Sequence, residues 1–279
     1  MAGLFFCTVY PVKHLNKTIM KEQKEFHEGR LMNKKTRNLM IFGVAAVGGG
    51  WLGIWLNSVT GNSSPPMESL GALVWLLSPA ITGLLLRWLA GDGWADAGIC
   101  PNLPGGWKGY TAALVVYPVL TLVGMAASLG TGSIRIAGLA GDGLSMYITA
   151  VGVMFTATLF KNVFEELAWR GYLSPRLQAA GLGAFANACV TGVIWWAWHL
   201  PYYYYFLNRA DLAAEAPYGL PLFLGIGLVV LVPTAAFFNE VRRLSGSVWG
   251  ALILHGVVNA VSMPLVLGGY IHANHWGSL

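Results

Sequence analysis

A succession of long apolar runs restricts the fold of this chain more than any other feature of its sequence. Each run approaches the roughly 20 apolar residues that a helix needs to cross a bilayer. Short connections rich in Gly, Pro, Asn and Asp separate the runs, as turns require. We predict seven membrane-spanning helices, over Leu39–Thr60, Leu70–Ala90, Tyr110–Gly130, Gly143 to about Ala180, Gly183–Phe206, Leu220–Val241 and Val248–Gly268.

The composition excludes a soluble globular protein. Of the 279 residues, 56% are hydrophobic and only 10% are charged, whereas an ordinary soluble domain carries about 25% charged residues. The predicted fold class is therefore all-α, a polytopic membrane helical bundle of about seven transmembrane helices. We expect a basic cytoplasmic N-terminal segment, residues 1–38, that is partly disordered, followed by one membrane domain over residues 39–279.

Most basic residues fall on one side of the predicted bundle. With a cytoplasmic N-terminus, 14 of the 17 Lys and Arg residues lie on the cytoplasmic side. The positive-inside rule favours this orientation, which places the C-terminus on the opposite side. The net charge of +5 is then a signal of topology, so the lipid bilayer is the predicted partner and nucleic acid is not.

Three polar groups interrupt the predicted spans, where ionisable residues are costly and usually functional. In the first group, Glu166 precedes Arg170 by four residues, the orientation that favours an ion pair along a helix. Lys161 likewise lies four residues before Glu165. Ordinary ion pairs at the cytoplasmic end of a helix would also explain this group.

The second group is Trp195 with His199, and the third is His255 with Asn259. Each pair has a spacing of four residues, which places both side chains on one helix face. Interfacial aromatic residues would explain the second pair, since Tyr202–Tyr205 predict an aromatic belt at the membrane surface. Hydrogen bonds between helices would explain the third pair.

Depth along the helices links the three groups. At 1.5 Å per residue, Glu165 and His199 lie about 22–24 Å from the cytoplasmic ends of their helices, His255 about 10 Å and Asn259 about 16 Å. With some tilt these side chains can meet. We therefore predict one shared cavity, opening toward the cytoplasm.

Such a site has the chemistry for peptide hydrolysis. A buried carboxylate beside a histidine can act as a general base toward water, and a second histidine with an asparagine can donate hydrogen bonds to a developing oxyanion. Glu165, His199 and His255 could instead hold a divalent metal such as zinc, with a water in the fourth position. The residues leave the metal-free and the metal-dependent mechanism open.

The three motifs taken together resemble those of the CPBP family. This family comprises the type II CAAX prenyl endopeptidases, the bacteriocin-processing proteins and the abortive-infection proteins. The resemblance covers roughly residues 143–268 and rests on Glu165-Glu166-x-x-x-Arg170-Gly171, Trp195-x-x-x-His199 and His255-x-x-x-Asn259, in this order.

The resemblance implies an intramembrane endopeptidase that cleaves a membrane-associated peptide or protein. It implies that Glu165 activates a water with the help of His199, and that His255 and Asn259 form the oxyanion site. It also implies that Glu166 and its partner, the arginine four residues later, form a supporting ion pair.

This sequence departs from the family's usual pattern at two aromatic positions. Trp195 stands where phenylalanine is usual, and Trp169 where phenylalanine commonly precedes the arginine. Both substitutions keep an aromatic ring, so they bear on the shape of the cavity. Lys161 is an unusual neighbour, and pairing with Glu165 would weaken that carboxylate as a base.

Two other classes of function remain open at this point. The chain could be a non-catalytic accessory or immunity subunit of a larger membrane protein complex that retains the family's helices as contact surfaces. Intramembrane Glu and His residues also suit a proton path. The sequence has no inverted repeat of the kind that marks many transporters.

Overall fold

The computed structural model describes the backbone of residues 17–274 and the side chains of residues 34–272 and 274. Helices dominate these residues, as predicted, and the all-α bundle is confirmed. The helices are α1 (Lys17–Val59), α2 (Leu70–Trp88), α3 (Leu103–Gly130), α4 (Gly143–Ala168), α5 (Ser174–Ala179), α6 (Ala184–Pro201), α7 (Arg209–Glu215), α8 (Leu220–Ser245) and α9 (Val248–Leu267).

Short elements complete the described chain. Five-residue π-helical segments follow α4 and α6, over Trp169–Leu173 and Tyr202–Phe206. A turn of 3-10 helix at Pro66–Glu68 precedes α2. The strands β1 (Ile134–Ile136) and β2 (Ile271–Ala273) form an antiparallel ribbon that the sequence analysis did not predict.

Six spans, rather than seven, have the length and apolar composition to cross a membrane within the described residues. They cover residues 34–59, 70–88, 103–130, 143–179, 220–245 and 248–267. The remaining predicted span, Gly183–Phe206, does form a helix, α6. Asn187, His199 and three tryptophans lower its hydropathy, and it packs against α1 and α8 inside the bundle.

The expected boundary at residue 38 falls within a continuous helix. Residues 1–16 lie outside the described residues. Residues 17–38 belong to α1, which continues without interruption into the first span. The third span also begins earlier than predicted, at Leu103 instead of Tyr110.

Two tryptophans join α2 to α6 at the centre of the bundle. The indole of Trp75 donates a hydrogen bond of 2.8 Å to the carbonyl of Trp198, and the indole of Trp198 donates one of 3.1 Å to the carbonyl of Trp75. Their rings stack with centroids 4.3 Å apart. The reciprocal bonds fix the relative height of the two helices, because sliding either helix would break both.

Small residues allow close packing of α1 on α2. A methyl group on Gly49 would overlap the hydroxyl of Ser78, and one on Gly53 would overlap the carbonyl oxygen of Gly71. The Gly49-x-x-x-Gly53 spacing therefore serves contacts within the chain, in the manner of small-residue motifs between membrane helices.

The π-helical segment after α4 keeps that helix continuous as far as α5, as the sequence predicted. A π-helical turn disturbs the regular hydrogen-bond ladder and is often found at functional sites. Side chains from two other helices reach its carbonyl groups. Arg87 of α2 donates to the carbonyl of Gly171 at 3.0 and 2.6 Å, and Arg242 of α8 donates to that of Arg170 at 3.3 Å.

Two aspartates of the α2–α3 connection extend this arginine network. Asp96 pairs with Arg87 at 2.6 Å and with Arg176 at 2.9 Å. The hydroxyl of Tyr172 donates to Asp92 at 2.7 Å. Burial alone would raise the pKa of Asp96, but the hydrogen bonds and charges of the two arginines hold it below its usual value. These arginines thus stabilise one end of the bundle, in addition to any role in topology.

The packing of α1 on α2 leads to a test with a matched control. We expect Gly53→Ala to lower the melting temperature of the detergent-solubilised protein, since overpacking costs about 1–3 kcal/mol. Gly48 lies on the same helix with no atom near a methyl group at its position. We therefore expect Gly48→Ala to be neutral or stabilising by up to about 1 kcal/mol, from helix propensity. Equal melting temperatures for the two variants would contradict this packing.

Candidate active site

The structure brings the three predicted polar groups together. Glu165 lies near the end of α4, His199 near the end of α6, and Asn259 within α9. Lys161, His199 and Asn259 line one cavity of about 400 Å³. Glu165 and His255 are buried, with 2% and 5% of their surface exposed.

Glu165 is held by two donors. One carboxylate oxygen pairs with the ammonium group of Lys161, one turn earlier on α4. The other accepts a hydrogen bond of 3.1 Å from the indole of Trp195 on α6. The sequence predicted the first contact from spacing alone. The second contact gives Trp195 a more direct role than bracing the imidazole of His199.

The ring of His199 is oriented through its Nδ1 atom. This nitrogen lies 2.8 Å from the carbonyl oxygen of Trp195, one turn earlier, so it carries the proton and donates the hydrogen bond. Tyr203 stacks on the imidazole with centroids 5.9 Å apart. The other ring nitrogen, Nε2, is then left with its lone pair in a side chain that lines the cavity.

Glu166 faces away from the cavity and forms a buried cluster. It accepts hydrogen bonds from Arg170 at 3.2 Å and from the Nδ1 atom of His255 at 2.8 Å. The guanidinium group of Arg170 lies between the rings of Trp195 and Phe238, at 4.5 and 4.4 Å from their centroids. Arg170 is completely buried. Its ion pair with Glu166 is therefore internal to the bundle.

Asn259 has a partner that the sequence analysis missed. Its amide donates a hydrogen bond of 3.1 Å to the side chain of Asn162 on α4. Asn162 is fully buried, and its own amide nitrogen has no hydrogen-bond partner among the described residues. An amide three residues before Glu165 in an apolar helix was the signal that could have identified it.

The cavity opens at the end of the bundle opposite to the predicted one. Beyond the polar groups, its walls come from the α1–α2 connection, the segment after α6, α7, the start of α8 and the end of α9. The residues concerned are Met67, Trp75, Tyr202, Tyr203, Glu215, Phe223, Ser262, Met263, Val266 and Leu267. The arginine network occupies the other end. The expected opening toward the basic end was wrong, because His199 lies at the far end of its helix.

The tyrosines after α6 divide between two roles. Tyr202 and Tyr203 line the cavity, whereas Tyr204 is 50% exposed and Tyr205 is 36% exposed. The aromatic belt predicted for Tyr202–Tyr205 is thus limited to the latter two, because the π-helical turn directs the first pair inward.

The described residues do not form the proposed zinc site. Nowhere between residues 34 and 272 do three His, Cys, Asp or Glu side chains come together in a group that could hold a metal. Glu165, the charged ligand of such a site, is already paired with the ammonium group of Lys161 and bonded by the indole of Trp195. The donor set of Glu165, His199 and His255 does not fit a metal in this arrangement.

One family model matches the part of the chain that carries these residues. Residues 147–261, which are 115 of the 279 residues, match the family model described as type II CAAX prenyl endopeptidase Rce1-like. The match includes Glu165, His199, His255 and Asn259. No curated protein matches the chain. This part of the chain is similar to the Rce1-like type II CAAX prenyl endopeptidases, which is consistent with the CPBP family.

The two adjacent glutamates should differ in how much they contribute to the stability of the fold. We expect Glu166→Gln to lower the free energy of unfolding by about 3–5 kcal/mol, because it leaves the buried Arg170 without its counter-charge. Glu165→Gln should cost less than about 1 kcal/mol, since its partner Lys161 retains access to the cavity. Thermal unfolding of both purified variants in one detergent measures the difference. A smaller loss for Glu166→Gln than for Glu165→Gln would contradict these roles.

Proposed function

We propose that the Rce1-like domain of this chain is an intramembrane endopeptidase that hydrolyses a membrane-associated peptide or protein with a water activated by Glu165. The observation that carries the proposal is that Trp195 bonds both groups: its indole donates to Glu165, and its carbonyl accepts from His199, which lines a cavity with aromatic walls. A carboxylate and an imidazole held side by side, with nearby amide donors, suit general base catalysis.

The hydrolytic water binds between Glu165 and His199. The Nε2 lone pair of His199 accepts a hydrogen bond from the water, because Nδ1 is committed to the carbonyl of Trp195. Glu165 takes the proton as the water oxygen attacks the peptide carbonyl. The indole of Trp195 and the ammonium group of Lys161 fix the direction of the carboxylate.

Asn259 and His255 stabilise the tetrahedral intermediate. The amide of Asn259 turns from Asn162 to donate to the oxyanion. His255 already donates through Nδ1 to Glu166, so its doubly protonated form is the one that can also donate through Nε2. Such donors act strongly because the protein interior screens charge poorly.

Glu165 returns its proton to the leaving amine. The peptide bond then breaks. One product carries the new carboxylate, and the other carries the new amine. No group of the protein becomes covalently attached, so the chain needs only one carboxylate that alternates between base and acid.

The Glu166–Arg170 pair acts as a positioning device. Arg170 lies against Trp195, whose indole bonds Glu165, and Glu166 bonds His255. The pair therefore fixes Trp195, which orients the base Glu165, relative to His255 of the oxyanion site. Neither Glu166 nor Arg170 lines the cavity.

We further propose a cytoplasmic N-terminus, on the basis of the charge asymmetry. The described basic residues at one end of the bundle include Lys34, Lys35, Arg37, Arg87, Lys108, Arg176, Arg242 and Arg243, whereas Arg135 and Arg209 lie at the other. Under the positive-inside rule, the cavity then receives its substrate from the non-cytoplasmic side of the membrane.

Cleavage by the purified protein in lipid vesicles tests the catalytic role of Glu165. The probes are two fluorescence-quenched peptides of one sequence, one carrying a prenyl-cysteine C-terminal motif and the other a palmitoyl anchor. We expect Glu165→Gln and His199→Ala each to lower the rate by at least about 10²-fold, the usual contribution of a general base.

The control for this assay is Glu240→Gln. Glu240 is half-exposed and pairs only with Arg243 at the surface among the described residues, so we expect full activity. N-terminal sequencing of membrane proteins from cells with and without the active chain extends the search to natural substrates. Cleavage that survives in Glu165→Gln would refute the proposal and favour the accessory-subunit alternative.

Thiol labelling in intact cells tests the orientation. Cys100 is exposed in the α2–α3 connection at the basic end, and Ser64 is exposed in the α1–α2 connection at the other end. We expect a membrane-impermeant maleimide to label Ser64→Cys in a background without other cysteines. In a chain whose single cysteine is Cys100, we expect labelling only when the cells have been permeabilised. The reverse pattern would place the cavity mouth in the cytoplasm.

A further inference from the structure

Glu215 contributes a charged group to the cavity in addition to Lys161. It is the last residue of α7 and, like Lys161 and His199, lines the cavity wall. The sequence analysis did not identify it, because a glutamate in a short connecting helix has no distinctive pattern. Its position is fixed: α7 is capped by Asn208, which accepts a hydrogen bond of 2.9 Å from the backbone of Asp211, and Leu212 packs beside Tyr202 and Phe223.

The carboxylate of Glu215 has no partner among the described side chains. No described residue donates a hydrogen bond to it or forms an ion pair with it, and the cation of the cavity, Lys161, is committed to Glu165. Burial, and then the negative charge of Asp211, raises the pKa of Glu215. A cation beside this carboxylate would stabilise its ionised form against both burial and the charge of Asp211.

Aromatic rings surround the same part of the cavity. Trp75 stacks on Tyr202 with centroids 5.2 Å apart, and Tyr203 meets the edge of Phe223 at 4.9 Å. All four rings line the cavity. The faces of such rings attract ammonium and guanidinium groups, most strongly where water is excluded. A carboxylate among aromatic rings is therefore complementary to a basic side chain.

We infer that the mouth of the cavity binds a lysine or arginine side chain of the substrate, with Glu215 as its counter-charge and the rings of Tyr202 and Tyr203 as walls. This inference rests on the proposed endopeptidase function. The positive charge of Lys161 disfavours a cation at the inner end, so the two charges orient the peptide. The basic side chain stays at the mouth while the scissile carbonyl points toward Glu165.

Binding of peptides that differ by one charge tests this specificity. The probes are palmitoylated peptides of one sequence in which a single position, scanned along the chain, is Lys, Gln or Glu. Binding is measured in neutral maltoside micelles with Glu165→Gln protein, so that cleavage does not interfere. At one or more positions we expect the Lys peptide to bind about tenfold more tightly than the Gln peptide, as for a partly desolvated cation between rings and a carboxylate.

Glu215→Gln should abolish this preference, and Glu215→Lys should favour the Glu peptide. Glu68→Gln is the matched control, because it removes the same charge from the same end of the bundle at an exposed residue outside the cavity. In active protein, Glu215→Gln should raise KM for the Lys peptide and leave kcat unchanged. A Lys preference that survives in Glu215→Gln, or no preference at any position, would overturn the inference.

The same assays separate this inference from the proposed function. Glu215-dependent binding of the Lys peptide without any cleavage would reject the endopeptidase and retain the cation site. Cleavage with no charge preference would retain the endopeptidase and reject the cation site. Phosphatidylethanolamine and phosphatidylcholine added to the micelles identify the other source of a cation. If either lipid displaces the Lys peptide from wild type but not from Glu215→Gln protein, the site binds a lipid headgroup and the peptide assignment is wrong.

Discussion

The buried ion pair between Glu166 and Arg170 is the interaction on which the candidate site depends. Both side chains are almost completely removed from solvent, so losing either partner strands a charge at a cost of about 3–5 kcal/mol. Arg170 contacts Trp195 on α6 and Phe238 on α8, and Glu166 bonds His255 on α9. This one pair, formed between the end of α4 and the π-helical segment that follows it, therefore sets the positions of three neighbouring helices around the catalytic groups.

The two ends of the bundle serve different purposes. At the basic end, arginines bond the carbonyl groups of the π-helical segment and pair with aspartates, so Arg87 ties α2 to that segment and Asp96 links Arg87 to Arg176 of α5. At the opposite end, aromatic residues and Glu215 surround open space. Buried polar groups need partners within the protein, and the basic end supplies them. The open end leaves Glu215 and His199 available to a ligand.

Much of the site followed from spacing. In an apolar helix, a polar pair four residues apart must share a face and find a partner, which identified Glu166 with Arg170 and His255 with Asn259. Other contacts could not be predicted. The bond from Trp195 to Glu165 joins residues 30 positions apart, and the partnership of Asn162 with Asn259 depends on how α4 packs against α9. No local pattern encodes such a contact.

The sequence by itself determined that this chain is a helical membrane bundle, because runs of about 20 apolar residues can cross lipid as helices, which satisfy their backbone hydrogen bonds within each segment. It also determined which side chains were out of place in the spans. Only the tertiary structure decided that Lys161, His199 and Asn259 line a cavity opening away from the basic end, and that its mouth is formed by Tyr202, Tyr203 and Glu215. The direction in which the cavity opens, and the residues that enclose it, depend on which helix ends meet. Helical periodicity carries no information about those contacts.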